Sequence, residues 1–200
     1  MSGGETPHPV DLTEREIGQR KIGAGDAHSA IMRRVYPAPI DEVWSAITEP
    51  DRINRFFLPV SGDLREGGTF ALEMNADGEI LKCEAPHLLR LTWSFEGAVP
   101  DEVEIRLTTV DGGTQLELEH ASVRDVLVSS DPKTGDWGVG AGWEPPLKYL
   151  GRYLAGELPN KPSMEWYEPN EEDAALSRDA GMAWSQVIEA AYVRLLQQKS

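Results

Sequence analysis

Between residues 60 and 123 apolar side chains recur at every second position, in run after run, with polar neighbours between them. Phe70, Leu72 and Met74 make one such run, and Leu89, Leu91, Trp93 and Phe95 the next. Val103, Ile105 and Leu107 follow, then Leu116, Leu118 and His120. Successive side chains of a strand point to opposite faces, so each run writes one apolar face and one of Glu, Arg and Thr. Gly67-Gly68, Asp77-Gly78 and Asp111-Gly112-Gly113 fall between the runs and predict hairpin connections. The segment is therefore an antiparallel meander with one face that must be covered.

The cover is the next periodic segment. Trp143, Leu147, Leu150 and Leu154 recur at helical spacing, which predicts a helix laid across the sheet. Pro145 and Pro146 lack amide donors and fit only a first turn, which places the start near Trp143 or Glu144 and the end at Gly156. Ahead of the meander, Ala27 to Tyr36 predicts a strand that ends at Pro37 and Pro39. Ile40, Val43, Trp44 and Ile47 then share one helical face, and Pro50 with Ile53, Phe56 and Phe57 predicts a second short helix that stops at Pro59. The class is α+β, with one domain over residues 26–157.

Flanking segments read differently. Residues 1–25 hold only Val10, Leu12, Ile17 and Ile22 as apolar anchors and read as a flexible arm. Residues 158–170, with Pro159, Pro162 and Pro169, read as a linker. Residues 171–200 form a helical extension whose stripe of Leu176, Ala180, Ala183, Trp184, Val187, Ile188, Ala191 and Leu195 packs on the domain or forms a homodimer.

Composition excludes several functions. Acidic side chains outnumber basic ones 34 to 19, and a net charge of −15 repels phosphate backbones and anionic lipid, so neither nucleic acid nor a membrane is an expected partner. No apolar run is long enough to span a bilayer, and the N-terminus has neither a basic start nor an apolar core, which predicts a cytoplasmic protein. The single Cys83 supplies no disulfide or thiolate zinc site and reads as a small buried residue. His8, His28, His87 and His120 lack metal-site spacing, so no metal or cofactor is expected.

His120 is the one inward-facing residue of the meander able to move a proton near neutral pH, as a general acid or base. Its structural alternative is a core histidine tied to a backbone carbonyl or water. Trp93 and Trp143 offer flat surfaces to an aromatic guest, whereas Trp44 reads as core. Gly138, Gly140 and Gly142 precede Trp143 without a βαβ unit, which removes a dinucleotide site and leaves a flexible hinge before the covering helix. Glu171, Glu172 and Asp173 suit a helix N-terminus.

The stretch YPAPIDEVWSAITEPDRINRFFLP resembles the opening signature of the SRPBCC (START-related, helix-grip) superfamily, in the branch similar to activators of the heat-shock protein 90 ATPase. GDLREGGTF, LLRLTWSF and GTQLELEH resemble its strands, and GVGAGW its grip helix, over roughly residues 28–156. The chain departs from the pattern in having Phe56-Phe57 where a Trp-Phe pair is usual, and in Pro145-Pro146. The resemblance implies a helix-grip fold with a cavity for a hydrophobic or aromatic, lipid-like small molecule. Phe70, Leu72, Met74, Leu91, Trp93, Phe95, Val103, Ile105, Leu107, Leu118, His120, Trp143, Leu147 and Leu150 are its expected lining. A polyketide cyclase/dehydratase-like enzyme using His120, and a module with a chaperone partner, are the alternatives it allows.

Overall fold

The computed structural model describes residues 12–95, 97–124 and 138–198. Its eight strands are β1 (Glu14–Ile22), β2 (Gly25–Tyr36), β3 (Val60–Gly62), β4 (Thr69–Leu72), β5 (Asp77–Glu84), β6 (Leu88–Trp93), β7 (Asp101–Val110) and β8 (Gly113–Ser122). They build one sheet in the order β1-β2-β8-β7-β6-β5-β4-β3, every neighbour antiparallel. The helices are α1 (Ile40–Thr48), α2 (Pro50–Phe56), α3 (Gly138–Leu154) and α4 (Glu171–Gln198). This is the helix-grip arrangement, with α3 held against the inner face of the curved sheet.

Register follows the apolar alternation. Ile105 lies opposite Leu118 and Leu107 opposite Leu116 in the β7–β8 ladder, while Met32 of β2 lies opposite Leu118 from the other side. Directly opposed residues share a face, so these side chains form one apolar floor. The outer face carries charge instead: Arg33 pairs with Glu16 at 2.8 Å and Arg20 with Glu119 at 3.6 Å. α3 is pinned to the floor by the buried Tyr36, whose hydroxyl donates to the Leu147 carbonyl at 2.9 Å. Burial pushes that phenol well above its usual range, so it stays a donor.

Several elements depart from the sequence-based expectation. The segment read as a loose arm forms β1 from Glu14 onward, and residues 1–11 of it lie outside the described residues. β1 is stabilised by nine paired positions with β2 and by Arg15, whose guanidinium meets the fully buried Glu144 of α3 at 2.6 Å. Thr13 adds a hydroxyl hydrogen bond to the same carboxylate at 3.1 Å. None of this requires an apolar run.

α3 is also longer than expected. It already includes Gly138, so Pro145 and Pro146 stand inside it. The missing amides leave the Ala141 and Gly142 carbonyls without their usual helical donors. Burial of Ala141, Leu147 and Leu150 in the core outweighs that loss. Gly138 opens the helix with φ 70°, and Gly140 and Gly142 lie within it instead of in a hinge loop. Gly140 is where Trp184 of α4 presses in: a Cβ there would stand 2.6 Å from Cδ2 and 2.7 Å from Nε1 of the indole.

Asp77-Gly78 lies within β5, and the reversal comes earlier, at Glu73 to Asn75. Gly78 serves close approach, since a Cβ would sit 2.8 Å from the Thr92 carbonyl carbon. The Pro-rich linker is packed: Ser163 donates to the Phe57 carbonyl, and Trp166 and Tyr167 each lie 5.6 Å, ring to ring, from Tyr149.

α4 begins at a side-chain cap. The Asp173 amide donates to Asn170 Oδ1 at 2.9 Å, and the Asp173 carboxylate receives Lys148 Nζ at 2.9 Å and the Tyr149 hydroxyl at 2.7 Å. Burial alone would raise that carboxyl, yet these donors hold it below the usual carboxylate range. Leu176, Ala180 and Trp184 are buried as α4 packs on α3 and β1, and the side chain of Leu195 lies outside the described residues. Among the described residues no helix is long and apolar enough to cross a membrane.

Candidate functional site

A cavity of about 170 Å³ lies between the sheet floor, α2 and α3. β4, β5, β6 and β8 place Phe70, Leu72, Ile80, Leu91 and Leu118 beneath it, because those residues fall on the inward phase of their strands. α3 contributes Trp143, Pro146, Leu147 and Leu150 from above, and α2 contributes Ile53 and Phe56. The exposed Cys83 and the half-buried Leu64 and Val60 stand where the space meets solvent.

The lining carries almost no free polarity. Thr48 hydroxyl already donates to the Trp44 carbonyl at 2.7 Å, and the Trp143 indole N–H is engaged behind the wall. Among the described residues no charged side chain lines the cavity. The walls offer apolar burial and ring contacts, and a charge buried among them would go unpaired.

Of the lining expected from the sequence, the structure brings together Phe70, Leu72, Leu91, Trp93, Ile105, Leu118, Trp143, Leu147 and Leu150. Met74 is a correction. β4 stops at Leu72 and the chain turns, so Met74 takes φ 55° at the apex and is 75% exposed. Phe95 is another, since β6 ends at Trp93 and leaves it 50% exposed. Val103 and Leu107 are buried but pack into the solid core, away from the cavity wall. Cys83 is exposed, not buried.

His120 is also displaced from the role expected of a lining residue. It is 3% exposed and sits behind Trp143, with both ring nitrogens used. Trp143 Nε1 donates to Nδ1 at 3.1 Å, which requires Nδ1 to be unprotonated, and Nε2 then donates to Asp101 Oδ2 at 3.1 Å. Arg124 donates to the same Asp101 oxygen at 2.7 Å. Burial would raise the Asp101 carboxyl, but hydrogen bonding with His120, Ser122 and Arg124 outweighs it and holds the group below its usual range.

Asp101, Arg124 and Glu144 were not among the residues expected at the site. A signal existed for Asp101, which opens β7 opposite the end of β8 and so lies at the edge of the apolar face beside His120. Glu144 meets Arg15 across 129 positions, and no local pattern encodes that. Ile47, Leu64 and Leu89 also line the cavity, outside the lining expected from the sequence. Among the described residues no three His, Cys, Asp or Glu side chains converge to hold a metal ion.

Comparison with known proteins places this geometry in a family. Residues 37–155 match the model of the Activator of Hsp90 ATPase homolog 1-like protein family. None of the curated proteins matches the chain. The crystal structure of CalU16 from Micromonospora echinospora is 44% identical, with a TM-score of 0.74 over 88% of this chain and 98% of that one. Its solution structure gives 43% identity and the same TM-score, over 95% and 99%. DynU16, a protein in the dynemicin biosynthetic locus, is similar at 26% identity and a TM-score of 0.57, over 66% of this chain and 49% of that one. With the match spanning residues 37–155 and reaching from α1 to the end of α3, the chain belongs to the Activator of Hsp90 ATPase homolog 1-like family.

Proposed function

We propose that the protein binds a small apolar, aromatic or lipid-like molecule in the cavity beneath α3. The observation that carries this is a cavity of about 170 Å³ walled by Phe57, Phe70, Trp93 and Trp143 and by aliphatic side chains, with no charged side chain among the described residues that line it. A cavity of roughly 150 Å³ is enough for a benzene-sized guest. One aromatic ring or a short acyl segment therefore fits inside, and the rest of a larger molecule projects past Cys83 at the mouth. The similarity to DynU16 is consistent with a ligand drawn from a biosynthetic locus. The protein works in the cytoplasm on this account, as a carrier or sequestering module.

For a one-ring guest such as toluene, about 7 heavy atoms at roughly 0.7 kcal/mol each give near 5 kcal/mol, or a Kd of about 0.2 mM. At about 2 mM toluene the native state gains roughly 1.4 kcal/mol, which lifts Tm by about 3–6 °C. Ile105→Phe, which fills the cavity floor, removes the shift while the protein stays folded. The absence of any shift with toluene, indole or decanoate in the unmodified protein rules the proposal out.

The alternative as a cyclase/dehydratase-like enzyme draws on the Asp101–His120 pair. Both nitrogens of that ring are occupied and Trp143 separates it from the cavity, so the binding function is favoured.

A further inference from the structure

Trp143 does two things at once. Its ring forms part of the cavity wall, 5.0 Å from the Trp93 ring and 6.3 Å from Phe57, and its N–H is anchored on His120. We propose that Asp101 and His120, neither of which lines the cavity, are positioning residues that decide how large a guest it accepts, by fixing Trp143 as its end wall. The proposal rests on the binding function argued above.

Ring packing alone does not fix an indole. The apolar contacts with Trp93 and Phe57 are non-directional and tolerate a rotated or flipped ring. A buried N–H does select one orientation, because leaving it without an acceptor costs the indole a factor of about 5 to 150 in population. Among the described residues the acceptor is His120 Nδ1.

That acceptor is itself held in place. Asp101 takes the Nε2 proton, which selects the tautomer with a free lone pair on Nδ1 and orients the imidazole plane. Arg124, on the segment after β8, secures the Asp101 carboxylate from the exposed side. A continuous chain thus runs from the surface through Asp101 and His120 to the cavity wall. Releasing the indole lets the wall retreat toward β7 and β8, so longer guests enter.

The test pairs two neutral probes, toluene and 1-methylnaphthalene, with four proteins besides the unmodified one: His120→Leu, His120→Asn, Trp143→Phe, and the Leu and Phe changes combined. Binding is read by calorimetry, and the Trp143 indole proton by 1H–15N correlation and hydrogen exchange, assigned from its loss in Trp143→Phe. The unmodified protein is expected to prefer toluene and to protect that proton. His120→Leu is expected to lose the protection and to shift the preference toward 1-methylnaphthalene by about fivefold or more. His120→Asn, whose amide oxygen takes the place of Nδ1, restores the original ratio within about twofold. In the Trp143→Phe background the Leu change alters the ratio by less than about twofold.

A Trp143 proton still protected in His120→Leu overturns the proposal, because packing alone then holds the ring. So does an unchanged ratio in that variant, or a Leu effect just as large without Trp143. If the unmodified protein takes up neither hydrocarbon, the binding function and the size selection fall together. The exchange result, which needs no guest, still tells that failure apart from a failure of His120 to hold the indole.

Discussion

Replacing either of two neighbouring glycines of α3 by alanine should move stability in opposite directions. In a helix interior alanine is favoured over glycine by about 0.5–1 kcal/mol, because glycine has more backbone freedom to lose. Gly142 is exposed and a Cβ on it meets nothing within 4 Å, so Gly142→Ala should gain that amount. Gly140 faces the indole of Trp184, which is 2% exposed, at 2.6 Å and 2.7 Å from the Cβ position. A buried indole has no flexible end to move aside, and overpacking of this kind costs about 1–3 kcal/mol. At the middle of these ranges the net for Gly140→Ala is a loss of about 1 kcal/mol, and the two variants should differ by the overpacking cost itself, about 2 kcal/mol. For a chain of this size each kcal/mol moves Tm by about 2–4 °C, which thermal and urea unfolding both resolve. Trp184→Phe should shrink the Gly140→Ala cost to less than half, because Cε2 and Nε1 are gone. If Gly140→Ala is as stable as the unmodified protein, or gains as much as Gly142→Ala, α4 is not packed here. The segment is then the flexible hinge that its glycine content suggests.

Glu144→Ala strands the guanidinium of Arg15 in the interior and should cost about 3–5 kcal/mol in urea unfolding, whereas an exposed pair such as Arg65–Asp63 should cost under about 1 kcal/mol. Equal costs would remove the ion pair as the fastening of β1. Asp101 and Asp173 both titrate below their usual range when folded, so each contributes stability that is fully present above the unfolded carboxyl value near 3.9 and is lost as pH falls through the lower folded value. Urea midpoints between about pH 2 and 6 should fall steeply at the acid end, and Asp173→Asn should flatten that fall; an unchanged slope would refute it. Burial, helped by Glu66, pushes the Cys83 thiol up, so its reaction with a disulfide reagent should be slow at pH 7 and rise on the alkaline side of a free thiol's profile. A bound guest should slow that reaction further, since the thiol stands at the cavity mouth.

The meander and its covering helix were legible in the sequence because both depend on local periodicity. Phase two along Leu89, Leu91 and Trp93 and along Leu116 and Leu118 fixes which side chains face inward, and helical spacing from Trp143 to Leu154 fixes what covers them. The family signatures lay in the same segments, which is why the α+β class and much of the cavity floor could be named in advance. Periodicity does not say where a strand stops. Met74 and Phe95 continue the alternation in sequence, but the chain has already turned, and they are exposed.

What only the tertiary structure decided are the contacts between residues that no local rule connects. β1 is too poor in apolar side chains to announce itself, and it exists because β2 offers an edge and Glu144 needs a cation. Pro145 and Pro146 mark a helix start by local rules, and core burial on either side carries the helix through them. His120 could be placed on the inner face from its strand phase alone. That it turns one nitrogen to Asp101 and the other to Trp143, and so stands behind the cavity instead of in it, depends on three segments meeting at hydrogen-bond distance. Such meetings are properties of the packed chain, because the free energy of a buried polar contact depends on which partners desolvate it together.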